Sequence, residues 1–315
     1  MCSNALKQNV VVICGPTAMG KTTVAINLAG SFNAEIVGAD SMQVYRHMDI
    51  GTAKPTPDER AAVSHHMIDI IEPDEPLDAR QYAEMAREKI ASLHARCITP
   101  FVVGGTGFYI KALLHGLFED APSDPDIRMR LKQEAKDHGS ALLHGRLGKC
   151  DPGTAERLHP NDTYRIVRAL EVYELTGKPI SAYHSKHGFS EKPFNVLKIG
   201  LCLNRDLIYD RINRRVDSMI AAGFLDEVKG LLDMGFTADL KSMQSIGYRH
   251  MVGFINGRFS RDEMLRTLKR DTRRYAKRQL TWFRADPEIR WSQPDRLEEI
   301  RRAVKKFLQP EAGSR

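Results

Sequence analysis

Residues Gly15 to Thr22 read GPTAMGKT and directly follow the apolar run NVVVIC. The spacing fits G-x-x-x-x-G-K-[ST], with Gly15, Gly20, Lys21 and Thr22 at the fixed positions and Pro16, Thr17, Ala18 and Met19 between them. Such a loop curls so that backbone N–H groups point at phosphate oxygens. Lys21 then neutralises charge, and the Thr22 hydroxyl is placed to hold Mg²⁺. A second chemical group is Asp40, in GADSMQVY at the end of another apolar run. A carboxylate beside a pyrophosphate clamp can take the proton of a nucleophile that attacks an electrophile attached to that pyrophosphate. Asp40 could equally cap a helix over SMQVYRH, and the two roles are compatible.

The loop alone leaves the pyrophosphate compound open. A hydrolysing ATPase shows an apolar strand ending in an acidic residue, and a GTPase shows N/T-K-x-D. Here PFVV runs into Gly-Gly-Thr-Gly, and neither N-K-x-D nor T-K-x-D occurs. Asp69 lies in an expected strand, where an acid of the ATPase kind and a partly buried structural aspartate are both open readings.

These groups need a scaffold. Apolar β-branched runs predict strands at Val10–Cys14, Glu35–Ala39, His66–Ile70, Pro100–Val103 and Val196–Leu203, the first four separated by helical patterns. That alternation predicts an α/β fold with a P-loop NTPase-like parallel sheet flanked by helices. Ligands of such sheets sit outside the carboxyl ends of the strands, where Asp40 and the loop would share a crevice. From Glu119 to Lys192 only short helices punctuated by proline and glycine are expected. The division is therefore an α/β core over 8–118, an all-helical insertion domain over 119–192, and the rest of the core with basic C-terminal helices over 193–310.

The net charge is +7, and its excess is concentrated. The segment from Arg261 to Arg284 carries nine arginines and lysines against Asp262, Glu263 and Asp271. At helical spacing, Leu265, Leu268, Thr272 and Ala276 make a core stripe. Arg266, Arg270, Arg273 and Lys277 share another face, which suits a row of phosphates or a solvated surface. The five cysteines include no C-x-x-C pair, so neither a zinc site nor a disulfide framework is indicated. No run reaches the roughly 20 apolar residues of a membrane span. The opening MCSNALKQ lacks a signal-peptide pattern, so a cytoplasmic protein is expected.

Taken in order, GPTAMGKT, GADSMQVYRHMDIGTAKP, VGGTGFYIKALLHGL, TYRIVRALEVYELTGKPIS, QSIGYRHM and RRYAKRQLTWFR span nearly the whole chain. Together they resemble the motifs of the tRNA dimethylallyltransferases, also called tRNA isopentenyltransferases. The resemblance implies transfer of a dimethylallyl group from dimethylallyl diphosphate to the exocyclic amine of the adenosine 3′ of the anticodon, in tRNAs reading codons that begin with U. It implies that the loop holds the donor's diphosphate, with Mg²⁺ as cofactor, and that Asp40 is the general base. Thr17 and Arg215 then meet diphosphate oxygens, while Asp40, Ser41, Met42, Gln43 and Thr106 surround the target adenosine. Arg128, the run Tyr164, Arg165, Ile166, Val167 and Arg168, and Gly247, Tyr248 and Arg249 face the tRNA anticodon stem-loop. Arg273 and Lys277 of the basic helix are assigned to the same RNA. Tyr164 departs from the family pattern, which has glutamine there. Thr106 could also cap a helix, and Phe108, Tyr109 and Trp282 read as core residues. A nucleotide kinase and a free-nucleotide prenyltransferase are the rival readings, and a monomer is expected.

Overall fold

The computed structural model describes residues 7–117, 122–187 and 191–309. Six parallel strands make one sheet: β1 (Gln8–Cys14), β2 (Ala34–Gly38), β3 (His65–His66), β4 (Thr99–Gly104), β5 (Phe194–Leu201) and β6 (Arg290–Ser292), in the order β3-β2-β4-β1-β5-β6. The crossovers hold α1 (Lys21–Ala29), α2 (Pro57–Ala62), α3 (Ala79–Ala95) and α4 (Gly107–His115). Residues Val10 to Ile13 are all fully buried, so β1 is covered on both faces and its sequence reads as an unbroken apolar run rather than an alternation.

Two departures from the expected strands have local causes. Of the His66–Ile70 run only His66 pairs with β2, next to His65, because Met67 and Asp69 take left-handed φ of 61° and 55° and end the extended backbone. Asp69 is therefore outside any strand, and its carboxylate accepts from Lys54 at 2.5 Å and Arg60 at 2.7 Å. It is a structural acid. Short β6 was not expected; its three residues pair with the end of β5.

The chain divides into two compact units, one made of Met1–Leu114 with Lys192–Arg315 and the other of His115–Glu191. In the second unit, α5 (Pro125–His138), α6 (Ser140–Cys150), α7 (Pro152–Arg157), α8 (Thr163–Thr176) and α9 (Ile180–His187) surround a core that includes Leu131, Leu143, Leu147, Ile166 and Leu170. Its two ends meet: a Cβ on Gly116 would lie 2.5 Å from the Glu191 carboxyl carbon.

Back in the first unit, α10 (Arg205–Ala221), α11 (Phe224–Asp233), α12 (Tyr248–Ile255), α13 (Arg261–Arg284) and α14 (Leu297–Leu308) follow β5. The buried side of α13 is Met264, Thr267, Leu268, Ala276, Gln279 and Phe283. The expected stripe is thus rotated: Leu268 and Ala276 belong to it, but Leu265 and Thr272 stay partly exposed. Among the described residues, no helix is long and apolar enough to cross a membrane.

Candidate active site

Strand register brings three loops together. Cys14 pairs with Gly104 and Gly38 pairs with Val103, so the chain after β1, β2 and β4 leaves the sheet at one level with β4 in the middle. The Ala39 N–H donates to the Val103 carbonyl and the Thr106 N–H donates to the Ala39 carbonyl, joining the second and third loops. This approach requires glycine at 104, where a Cβ would sit 2.0 Å from the Ala39 oxygen. At Gly15, φ is 140° and a Cβ would lie 2.7 Å from the Leu201 oxygen of β5, so glycine is needed there too.

In the first loop, Met19 anchors the turn from the core while Thr17, Ala18 and Gly20 remain partly exposed. Gly20, at φ 81°, starts α1, and Lys21 and Thr22 form its first turn. The Lys21 ammonium donates to the Pro16 carbonyl at 2.8 Å, folding back over the loop. Burial pulls its pKa from 10.5 down to about 8, with the Asp40 charge opposing that shift and the Arg215 charge reinforcing it. Arg215, on α10, is lowered by burial and lifted by Asp40, and it donates weakly to the Thr17 hydroxyl at 3.5 Å. Two cations and one carboxylate thus converge on the loop, leaving a local excess of positive charge suited to a diphosphate.

Asp40 caps a turn rather than a helix: its Oδ1 accepts from the N–H groups of Met42 at 2.9 Å and Gln43 at 3.4 Å, and the chain continues as turns. Its Oδ2 makes no hydrogen bond among the described residues. The Thr106 hydroxyl does not cap its own helix either. It accepts from the Ser41 N–H at 2.9 Å and meets the Ser41 hydroxyl at 3.3 Å. Gln43 turns its amide to the carbonyls of Thr52 and Ala53, tying the acceptor-side loop to residues 49–54. That segment and Arg215, Ser218 and Met219 of α10 line a cavity of about 950 Å³.

Some of the residues expected at an RNA surface are not at the surface. Tyr248 is fully buried, and its hydroxyl donates to Glu227 at 2.6 Å; the same carboxylate accepts the N–H groups of Asp49, Ile50 and Gly51. Gly247, at φ 100°, is buried beside it. Ile166 and Val167 are core residues of the second unit, so their side chains cannot meet a ligand. Arg273 is partly buried, donates to Asn213 at 2.7 Å and lies over the Tyr209 ring. Tyr248, Ile166 and Val167 share motifs with exposed residues, and the helical period turns them inward.

The others are outside. Tyr164, Arg165 and Lys277 are exposed, with Arg165 near Asp162. Arg128 and Arg168 both donate to the fully buried Glu171, which also accepts the Asp124 N–H. Arg249 donates to Asp271 at 2.9 Å. Burial alone would raise the Asp271 carboxyl, but hydrogen bonds from Arg270 and Arg249 outweigh it and hold the pKa at about 2. Of the aromatics read as core, only Tyr109 is buried. Phe108 and Trp282 are 45% and 42% exposed and pack edge to face.

Two residues of this site escaped the sequence reading. Gln279 receives the Thr17 N–H at 2.9 Å and donates to the Gly105 carbonyl at 2.8 Å. Tyr275 sits one turn earlier, with its hydroxyl near the Thr106 and Gln279 side chains. Burial first, and the Asp40 charge second, push that hydroxyl upward. Their i, i+4 spacing inside a run of cations was the available signal.

No group of three or more histidine, cysteine or acidic side chains among the described residues could hold a metal ion. The protein donors nearest the loop are the Thr22 hydroxyl and Asp40. This set fits Mg²⁺ only where most ligands come from phosphate and water, the usual habit of that ion.

A diphosphate loop, a facing carboxylate and a basic helix coincide with a match of residues 43–286 to the family model described as IPP transferase. The chain belongs to that family. It is 56% identical to the tRNA dimethylallyltransferase of Desulfosudis oleivorans over 303 residues, covering 96% of each chain. Its fold matches the crystal structure of the tRNA isopentenylpyrophosphate transferase of Bacillus halodurans with a TM-score of 0.73 and 42% identity, over 96% of this chain and 97% of the other. It also matches a eukaryotic dimethylallyltransferase described as acting on tRNA, with a TM-score of 0.80 and 28% identity, over 96% and 79%.

Proposed function

We propose that this IPP transferase moves the dimethylallyl group of dimethylallyl diphosphate onto the exocyclic N6 amine of the adenosine 3′ of the anticodon, in tRNAs reading codons that begin with U. One observation carries the reading: Lys21 and Arg215 stand on the donor side of a site whose other side is Asp40, Ser41 and Thr106. An adenine amine is a weak nucleophile because its lone pair is delocalised, so the electrophile must ionise easily. Breaking the allylic carbon–oxygen bond leaves its electron pair on the diphosphate. Lys21, Arg215 and the Thr17 hydroxyl stabilise that growing charge more than they stabilise the bound donor. The amine nitrogen forms the new bond to carbon, and its proton passes to Oδ2 of Asp40, whose Oδ1 is held by Met42 and Gln43. Mg²⁺, bound by Thr22 and donor oxygens, would supply further charge neutralisation. Gln43 and Thr106 orient the base.

The target adenine must leave the anticodon-loop stack to reach this depth. Exposed cations of α13, together with Arg128, Arg165 and Arg168 of the helical unit, are assigned to the RNA backbone. The protein works as a cytoplasmic monomer in this reading. The test is nucleoside analysis of tRNA incubated with protein, Mg²⁺ and dimethylallyl diphosphate. Isopentenyladenosine in tRNA but not from free AMP supports the proposal; ATP turnover without prenyl transfer refutes it.

A further inference from the structure

We infer that Gln279 is a positioning residue for prenyl transfer, a single side-chain amide that fixes the diphosphate loop against the acceptor loop. The inference rests on the reaction proposed above. Gln279 is 6% exposed and projects from α13 between two loops distant in sequence, accepting from the Thr17 N–H at 2.9 Å and donating to the Gly105 carbonyl at 2.8 Å. These two groups dictate the side chain. A backbone N–H only donates and a carbonyl only accepts, so one neutral amide of this length satisfies both. A carboxylate would confront the Gly105 oxygen, and an apolar residue would leave both groups unpaired.

The packing leaves no slack around this clamp. A Cβ on Gly105 would lie 2.5 Å from the Gln279 amide nitrogen and 3.4 Å from the Gly15 oxygen. Tyr275, one turn away on the same helical face, places its hydroxyl near the Thr106 and Gln279 side chains, beside the residue that also receives the Ser41 N–H. Because the Thr17 N–H is committed to Gln279, Thr17 can offer the donor only its hydroxyl, the group that Arg215 approaches. Gln279 takes no proton and touches no reacting atom. It sets the distance and angle at which the amine on the Asp40 side meets the carbon on the Lys21 side, a geometric term to which transfer rates are steeply sensitive.

Gln279→Leu and Gln279→Glu test this through single-turnover transfer, separate equilibrium binding of dimethylallyl diphosphate and tRNA, and hydrogen exchange at the Thr17 amide. The expected result is a transfer rate lowered by about 10- to 100-fold, the scale of a misplacement near 1 Å. Both affinities should stay within about threefold, a smaller change than the 1.4 kcal/mol of a tenfold shift. Thr17 exchange should accelerate in the leucine variant. A simple loss of stability would not produce this split. If the leucine variant does not fold, the isosteric glutamate variant carries the same rate and affinity test. Transfer at the wild-type rate, or a loss wholly explained by weaker donor or tRNA binding, overturns the inference. Should the wild-type protein transfer no prenyl group, the proposed reaction fails first, and unchanged Thr17 exchange in the leucine variant would separately refute the clamp.

Discussion

Donor affinity should depend on pH through Lys21. Burial brings its pKa to about 8, so the ammonium that must face the diphosphate is only partly populated in mildly alkaline solution. If the donor binds the protonated form alone, one linked proton reduces the apparent affinity by up to about tenfold per pH unit above that pKa. From pH 7 to pH 9 the protonated fraction falls from roughly nine-tenths to one-tenth, and the dissociation constant should rise by about an order of magnitude, or about 1.4 kcal/mol. The sign for folding is opposite. With the folded pKa below the unfolded 10.5, the unfolded chain holds more protons between about pH 8 and 10.5, so the contribution of Lys21 to stability increases across that window. Weaker binding there cannot be ascribed to this residue unfolding the protein. Isothermal titration with dimethylallyl diphosphate in the presence of Mg²⁺, from pH 7 to 9.5, measures the slope. Lys21→Arg keeps its charge throughout and should flatten the profile. A flat wild-type profile, or an equal slope in Lys21→Met, would refute the reasoning.

Three further outcomes follow from the same geometry. Asp40→Asn keeps the turn-capping oxygen but removes the proton acceptor, so single-turnover transfer should fall by roughly 10²–10⁴-fold while tRNA affinity stays near wild type. Lys277→Gln with Arg278→Gln removes two exposed cations of α13 and should reduce the slope of log affinity for tRNA against log salt by up to about two contacts, each contributing roughly 0.7–0.9; an unchanged slope would make this face merely solvated. Tyr248→Phe deletes a buried donor to the Glu227 carboxylate, and denaturant melts should show a loss of about 1.5–3 kcal/mol with tRNA binding unchanged.

The fold was legible where a single physical requirement dominates. The P-loop, β1, β2, β4 and β5 announced themselves because a doubly covered strand must be continuously apolar and a phosphate-holding turn must be glycine-rich. His66–Ile70 misled because hydropathy does not register a left-handed φ at Met67 and Asp69, and β6 was too short to carry a pattern. In the site, charge and motif order picked out Lys21, Asp40, Thr106 and Arg215. They could not reveal that Tyr248 faces a carboxylate or that Arg273 is tied to Asn213, since both facts depend on how helices turn against one another. Gln279 offered only its i, i+4 spacing from Tyr275, because its importance lies in two backbone groups, which residue types do not record.

The meeting of Gly116 with Glu191 makes the helical unit a detachable cassette. Its entry and exit lie side by side, so the entropic toll of closing the excursion grows only logarithmically with its length, and residues can be gained or lost inside it without shifting any strand. Replacing 117–190 by a short glycine-serine bridge should therefore leave a folded α/β protein that still titrates with diphosphate but has shed the arginines of α5 and α8. Evolution has the same freedom: reshaping the RNA grip is separable from the chemistry, because the splice point imposes no register on the sheet.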